Sequence, residues 1–235
     1  MRVGAVGAAL VLAGFVGGFL AGRGRTFSAN SLPDLGPAPA YALTNQLGLP
    51  VASSQFAGKV RLVTFLSPYC TTYCPLITAH LIGFERFLAQ AGAQGKVQVV
   101  AFNLVPKAAG PAQLRAFLRQ YGWDPRDPHW QFLTGQPAQI HRVVTDGFHI
   151  YYQRVADADP PSGVELSSDS APQLDVANPL AQKANVHFDV THNDAIEIVD
   201  PQGRIRKIYD DGDVVSDQQL WADVHSLLGR SAGGA

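Results

Sequence analysis

Between Val60 and Ala91 the chain changes from a largely apolar run to a four-three spacing of apolar residues, and its only two cysteines lie at the change. The run Val60–Leu66 reads as a buried strand. It is followed by Ser67-Pro68-Tyr69-Cys70-Thr71-Thr72-Tyr73-Cys74-Pro75. Ile77, Leu81, Phe84, Leu88 and Ala91 then place one apolar face on a helix over Pro75–Ala91. Pro75 suits the first helical turn, where a missing N–H costs nothing. Both thiols therefore sit where a strand hands over to a helix N-terminus. The positive end of the helix dipole is expected to lower thiol pKa there, the setting that a reactive or metal-binding dithiol needs.

The rest of the chain extends this unit. Tyr41–Pro50 reads as a short hairpin turning at Asn45–Gly48. Strands are expected at Val97–Asn103, Trp130–Leu133, His149–Gln153, Phe188–His192 and Ala195–Asp200. After a turn at Pro201-Gln202-Gly203, Ile205–Tyr209 pairs back. Helices are expected at Pro111–Tyr121, with Leu114, Phe117, Leu118 and Tyr121 on one face, and at Pro137–Asp146. Ser216-Asp217-Gln218-Gln219 reads as a capping box opening a last helix that turns Leu220, Val224 and Leu227 inward. Strands alternating with helices, then a hairpin and a helix, indicate an α/β fold: a thioredoxin-like mixed sheet flanked by helices. Residues 155–185, rich in Ala, Asp, Pro and Ser, read as a long surface insertion or a partner-docking loop.

The N-terminus has another character. Val3–Leu20 carries no charge, lying after Arg2 and before Arg23 and Arg25. It is at the lower edge of a membrane span and beyond the usual signal-peptide core. Residues 1–22 are thus expected to be a transmembrane anchor or a signal, 23–39 a tether, and 40–229 the folded domain carrying the 155–185 insertion. The anchor is preferred because no strong cleavage site follows. The expected location is the cell membrane, with a single pass through residues 3–20 and the globular domain extracytoplasmic. Net charge is −1 with no basic block, which argues against a nucleic-acid partner.

A Cys-x3-Cys pair admits a structural disulfide, redox exchange, or thiolate binding of a soft metal. A metal site needs a third ligand. Of the seven histidines, His192 shares strand phase with Phe188 and Val190 and ends an extended run, so it can project over the end of the sheet where the dithiol loop lies. His187 has the opposite phase. His80 is more than a helical turn beyond Cys74.

The ordered pieces Phe56-Ala57-Gly58-Lys59-Val60, Tyr69-Cys70-x3-Cys74-Pro75, Trp130–Gly135, Asp189-Val190-Thr191-His192 and Ile198-Val199-Asp200-Pro201-x-Gly203-Arg204 resemble the Sco/SenC family over about residues 40–228. The resemblance implies a thioredoxin-like, membrane-tethered, exported copper protein that helps to assemble the copper centre of cytochrome c oxidase. It carries the family's copper ligands onto Cys70, Cys74 and His192, with Cu(I) or Cu(II) as the metal. The implied partners are the oxidase's copper-bearing subunit and other copper chaperones or thiol reductants. The sequence departs from the family at Thr71-Thr72-Tyr73, where Pro-Asp-Val is common. It departs again at Asn103, where a strand-end Asp is usual, and over Leu104–Gly110, which replaces an Asp-Pro-x-Arg-Asp stretch.

Two thiolates and a neutral imidazole form a soft set that favours Cu(I) over Mg or Ca, whereas zinc would need a fourth ligand. Met1 is the only methionine, so no methionine-rich copper relay exists. The alternative function is a thiol–disulfide oxidoreductase that reduces partner cysteines. The three-residue spacer, unlike the usual C-x-x-C, speaks against it.

Overall fold

The computed structural model describes residues 32–156, 180, 188–192 and 194–228, with the backbone alone at 153–156 and 188–192. In chain order the strands and helices are β1 (Gly36–Pro37), β2 (Ala42–Thr44), β3 (Pro50–Ala52), β4 (Val60–Leu66), α1 (Tyr73–Gln90), β5 (Val97–Asn103) and α2 (Pro111–Gln120). There follow β6 (Trp130–Leu133), α3 (Pro137–His141) running into a π-helical turn (Arg142–Gly147), β7 (Tyr152–Ala156), β8 (Phe188–His192), β9 (Ile196–Val199), β10 (Arg204–Tyr209) and α4 (Asp217–Leu228).

Six strands form the main sheet in the order β1-β10-β9-β4-β5-β6. β4, β5 and β6 are parallel, while β9 and β10 run antiparallel to their neighbours. β4 and β5 are buried along their whole length, which explains why both read as near-continuous apolar runs rather than alternating ones. Two successive right-handed crossovers in one direction put α1 and α2 on the same face. Phe117 of α2 meets Phe132 of β6 there at 5.7 Å, and Ile77, Leu81 and Phe84 of α1 are fully buried. On the face that carries Phe65 and Phe102, these two rings stack at 5.9 Å, and both pack against Phe148 from the π-helical segment. Tyr41 stands edge-on to Phe102.

Local chemistry accounts for the turns. Asn45 Oδ1 accepts from the amides of Leu47 and Leu49, closing the β2–β3 hairpin as its sequence predicts. Gln46 is buried and fastens that hairpin to β6, donating to the Pro125 and Trp130 carbonyls and accepting from the Phe132 amide. At the start of α4, Gln219 N–H donates to Ser216 Oγ, one half of the expected capping box, while the Gln219 side chain donates to Asp223.

Several boundaries differ from the sequence reading. The first helix begins at Tyr73, ahead of the expected Pro75, so Cys74 lies inside it. The strand expected at His149–Gln153 is displaced to Tyr152–Ala156. His149 adopts a φ of 60°, which ends any extended run, and the Ile150 amide is spent on the Val144 carbonyl. β7 then pairs with β8 in a separate two-stranded sheet, Tyr152 opposite His192 and Ala156 opposite Phe188. Residues 155 and 156 thereby belong to a strand, while 157–179 and 181–187 of the expected insertion and its flank lie outside the described residues.

The last part of the expected tether contributes to the sheet. β1 pairs with β10, Leu35 N–H donates to the Ile205 carbonyl, and Ala38 N–H to that of Gly203. A β-bulge at Arg206 interrupts the β9–β10 register. From it Arg206 reaches the Pro33 and Leu32 carbonyls and the Asp200 carboxylate. The expected membrane segment lies outside the described residues. Among those described, no helix is long and apolar enough to cross a membrane.

Candidate dithiol site

β4 delivers the chain to the top of the sheet, and the loop 67–72 returns it into α1. Within that loop Cys70 N–H donates to the Ser67 carbonyl, making a tight turn, and Tyr69 N–H donates to Ser67 Oγ. Cys70 is 6% exposed and Cys74 is wholly buried. Both are thiols, with no disulfide between them. The Ser67 amide donates to Cys74 Sγ at 3.4 Å, Cys70 Sγ lies 3.4 Å from Thr72 Oγ1, and the two thiols are themselves hydrogen-bonded. Thr72 precedes the helix but its side chain does not cap it.

Burial pushes the Cys74 thiol well above its ordinary pKa. The hydrogen bond and charge of Cys70 add to this, the Ser67 N–H opposes it, and the charge of Asp194 raises it further. The expectation that the helix dipole would lower the thiol pKa is therefore corrected for Cys74. A thiolate that no solvent reaches loses more hydration than one helix end returns.

The dithiol loop is tied to the loop that follows β5. Tyr69 OH donates to the Ala108 carbonyl at 2.9 Å, and Leu104 N–H donates to the Leu66 carbonyl at 3.0 Å. Asn103 organises that second loop. Its Nδ2 donates to the Ala109 carbonyl and to Thr134 Oγ1, and its Oδ1 accepts from the Val105 amide. A carboxylate at this position could accept but not donate. The departure from the family's usual Asp is thus matched by the Ala109 carbonyl, which needs a donor.

The structure brings Cys70 and Cys74 together. His192 closes β8 with its backbone opposite Tyr152, and its side chain lies outside the described atoms. Asp194, shortly after it, pairs by a β-bridge with Asp211 and is near enough to act on Cys74 through its charge. Among the described residues no group of three His, Cys, Asp or Glu side chains is placed to hold a metal ion. His80 is directed elsewhere, as expected: Nε2 meets Asp217 at 2.9 Å and Nδ1 meets the Gly212 carbonyl at 3.3 Å. His187 lies outside the described residues. The sequence reading missed the Ser67 amide, the Tyr69 strut and the charge of Asp194. Of these only Asp194 carried a signal, its position next to the His192 run.

The sheet is thioredoxin-like and carries a dithiol at a strand–helix junction. Residues 34–171 match the SCO1/SenC family model, and the chain belongs to that family. It is 31% identical over 97 residues to the SCO1 protein homolog of Bacillus subtilis (strain 168), a match covering 40% of this chain and 47% of that relative. The alignment thus spans about half the length of that relative. Among solved structures, Bradyrhizobium japonicum ScoI with copper bound is similar at a TM-score of 0.59 and 20% identity, over 82% of this chain and 99% of the other. BsSco is similar at 0.61 and 22%, over 87% and 100%. It is described as having a disulfide switch and as a member of the Sco family of cytochrome c oxidase assembly proteins. At these identities the two structures show the fold.

Proposed function

We propose that this protein is a membrane-tethered, extracytoplasmic copper metallochaperone that serves assembly of the copper centre of cytochrome c oxidase. The observation that carries the reading is the pair of adjacent thiols at the end of β4, one wholly buried, in a chain of the SCO1/SenC family. The copper-bound relative and the oxidase-assembly description of BsSco support it. The donor set fits a soft ion: Cys70 and Cys74 supply two thiolates, and His192 is the proposed third ligand. When bound, Cu(I) would supply the positive charge that a buried thiolate lacks. Loading therefore releases the thiol protons and requires the reduced dithiol. The tether reading rests on the uncharged run Val3–Leu20.

Anaerobic titration of the reduced chain against a competing Cu(I) chelator tests the reading. One copper per chain is expected, lost in Cys70→Ser and Cys74→Ser, and weakened far more by His192→Ala than by His187→Ala. A stoichiometry near zero overturns it. Equal effects of the two histidine variants would reassign the third ligand. The contact between the thiols favours a second reading, thiol–disulfide exchange with partner cysteines. Disulfide-reductase activity without copper binding in the same sample would establish that reading instead.

A further inference from the structure

At the end of the sheet opposite the dithiol, a groove of about 340 Å³ opens between the entry segment and the β9–β10 turn. Pro37, Pro39 and Pro201 form apolar walls, Ser54 and Gln202 lie at its rim, and Arg61 lines it. Arg61 is only 6% exposed. Its Nε is buried with no hydrogen-bond partner among the described residues, and its guanidinium lies against the Tyr41 hydroxyl. A buried cation needs a compensating anion; among the described acids, Glu197 on the same sheet face is held protonated by burial up to about neutral pH, and Asp34 and Asp200 are already committed. Asp34 is paired with Arg204 at 2.9 Å. Asp200 attracts Arg61 from a distance, but its Oδ1 accepts from the Gln202 and Arg204 amides, and its Oδ2 is held by Arg206 at 2.8 Å. Among the described residues of this cluster, three guanidinium groups thus face two carboxylates, leaving one positive charge, on Arg61. The close approach of the turn is deliberate: a Cβ on Gly203 would come within 3.3 Å of Arg61 Nη2, and Gly203 has φ +84°.

We infer that this groove is a binding site for a monocarboxylate with a small apolar body, the carboxylate on the Arg61 guanidinium and the apolar part between the prolines. One unmatched positive charge suits one negative charge, and a fork of guanidinium donors suits a planar carboxylate. A phosphate dianion would exceed the charge available. The volume is at the small end of ligand pockets, matching a few carbon atoms beyond the carboxylate. The shared chemistry has two sources, a free short-chain acid and the C-terminus of a polypeptide.

Saturation-transfer NMR on the intact chain tests the inference, with butyrate, N-acetyl-alanyl-alanine and N-acetyl-alanyl-alaninamide as probes at constant ionic strength. Saturable binding of both acids, with the amide at least about ten-fold weaker, is expected from losing a charge-assisted hydrogen bond. A peptide acid that binds much more tightly than butyrate identifies a polypeptide C-terminus as the ligand; equal affinities identify a free acid. Arg61→Met should abolish binding. Ser54→Glu, at an exposed rim position where the fold is not at risk, should weaken binding about ten-fold or more by offering the guanidinium an internal carboxylate. Binding of the amide as tightly as the acid, an unchanged affinity in Ser54→Glu, or no saturable binding overturns the site.

Discussion

Asp200 and Glu197 lie three residues apart, one just after β9 and one within it; both are buried, and their surroundings treat them in opposite ways. Asp200 follows β9 beside the entry segment, where two backbone amides and the Arg206 guanidinium donate to its oxygens. Glu197, inside β9, has two carboxylate oxygens with no hydrogen-bond partner. Burial, with a smaller contribution from the charge of Asp210, pushes its pKa up to about 8. Glu85 in α1 is also pushed to about 8, chiefly by burial. Depth alone therefore does not decide how many donors a buried acid meets here, and Glu197, which meets none among the described residues, is the one that burial raises. The end with the entry segment is rich in guanidinium groups and amides, and Asp200 accepts from three of them. Glu197 and Glu85 stay protonated up to about neutral pH, and burial likewise raises Cys74 even though the Ser67 amide donates to it.

The largest effect is expected at Asp200. Replacing it with Ala leaves the largely buried Arg206 without its carboxylate, so unfolding free energy should fall by about 3–5 kcal/mol. Urea denaturation of Asp200→Ala at pH 7 measures this, and a loss below about 1 kcal/mol would show that the pair contributes little.

Glu197 gives the next effect, with the opposite sign. Its folded pKa of about 8 lies above the ordinary value of 4.5, so between those limits the folded state holds more protons than the unfolded one. The protonated acid's contribution is fully present below about pH 4.5 and is lost as pH rises through about 8. Glu197→Gln should remove that slope and be more stable than the parent at pH 9 by on the order of 3 kcal/mol. Parallel stability–pH curves for parent and variant would contradict the burial argument.

Asn103→Asp sharpens the comparison at the dithiol end. The new carboxylate faces the Ala109 carbonyl with no donor to offer. It should cost about 1–3 kcal/mol at pH 8 and less at pH 4, where it is protonated. Equal costs at both values would mean that the loop rearranges to supply donors. The smallest effect is expected for Tyr69→Phe, about 1 kcal/mol, from loss of the single bond to the Ala108 carbonyl. Amide exchange in residues 104–110 should quicken in that variant while the core amides are unchanged.

Much of the sheet was legible because its signals are local. Val97–Asn103 and Trp130–Leu133 occur at the residues read from the sequence, since an uninterrupted apolar run bounded by polar turns has few other solutions. The pairing of β7 with β8 was not legible. It joins segments far apart in sequence, and the displacement of β7 depends on the backbone conformation of His149, which no periodicity reveals. At the site, the adjacency of Cys70 and Cys74 followed from the strand–helix junction. The Cys74 pKa did not, because it depends on how completely α1, the 67–72 loop and their neighbours exclude water. Asn103 was legible as a departure from the family pattern; its role depends on the Thr134 hydroxyl and the Ala109 carbonyl, which only the fold assembles.

The bulge at Arg206 has a mechanical consequence. If the chain is held from its N-terminal side, tension enters the described fold at Leu32 and Pro33, whose carbonyls Arg206 grips, and passes into β10 through the β1 pairing. That load is taken up at the edge of the sheet, by a guanidinium anchored in turn on Asp200. β4 and the dithiol loop lie inside this edge, beyond β9, and the pull need not reach them. A domain fastened in this way can be tugged about on its leash while the geometry around Cys70 and Cys74 stays at rest.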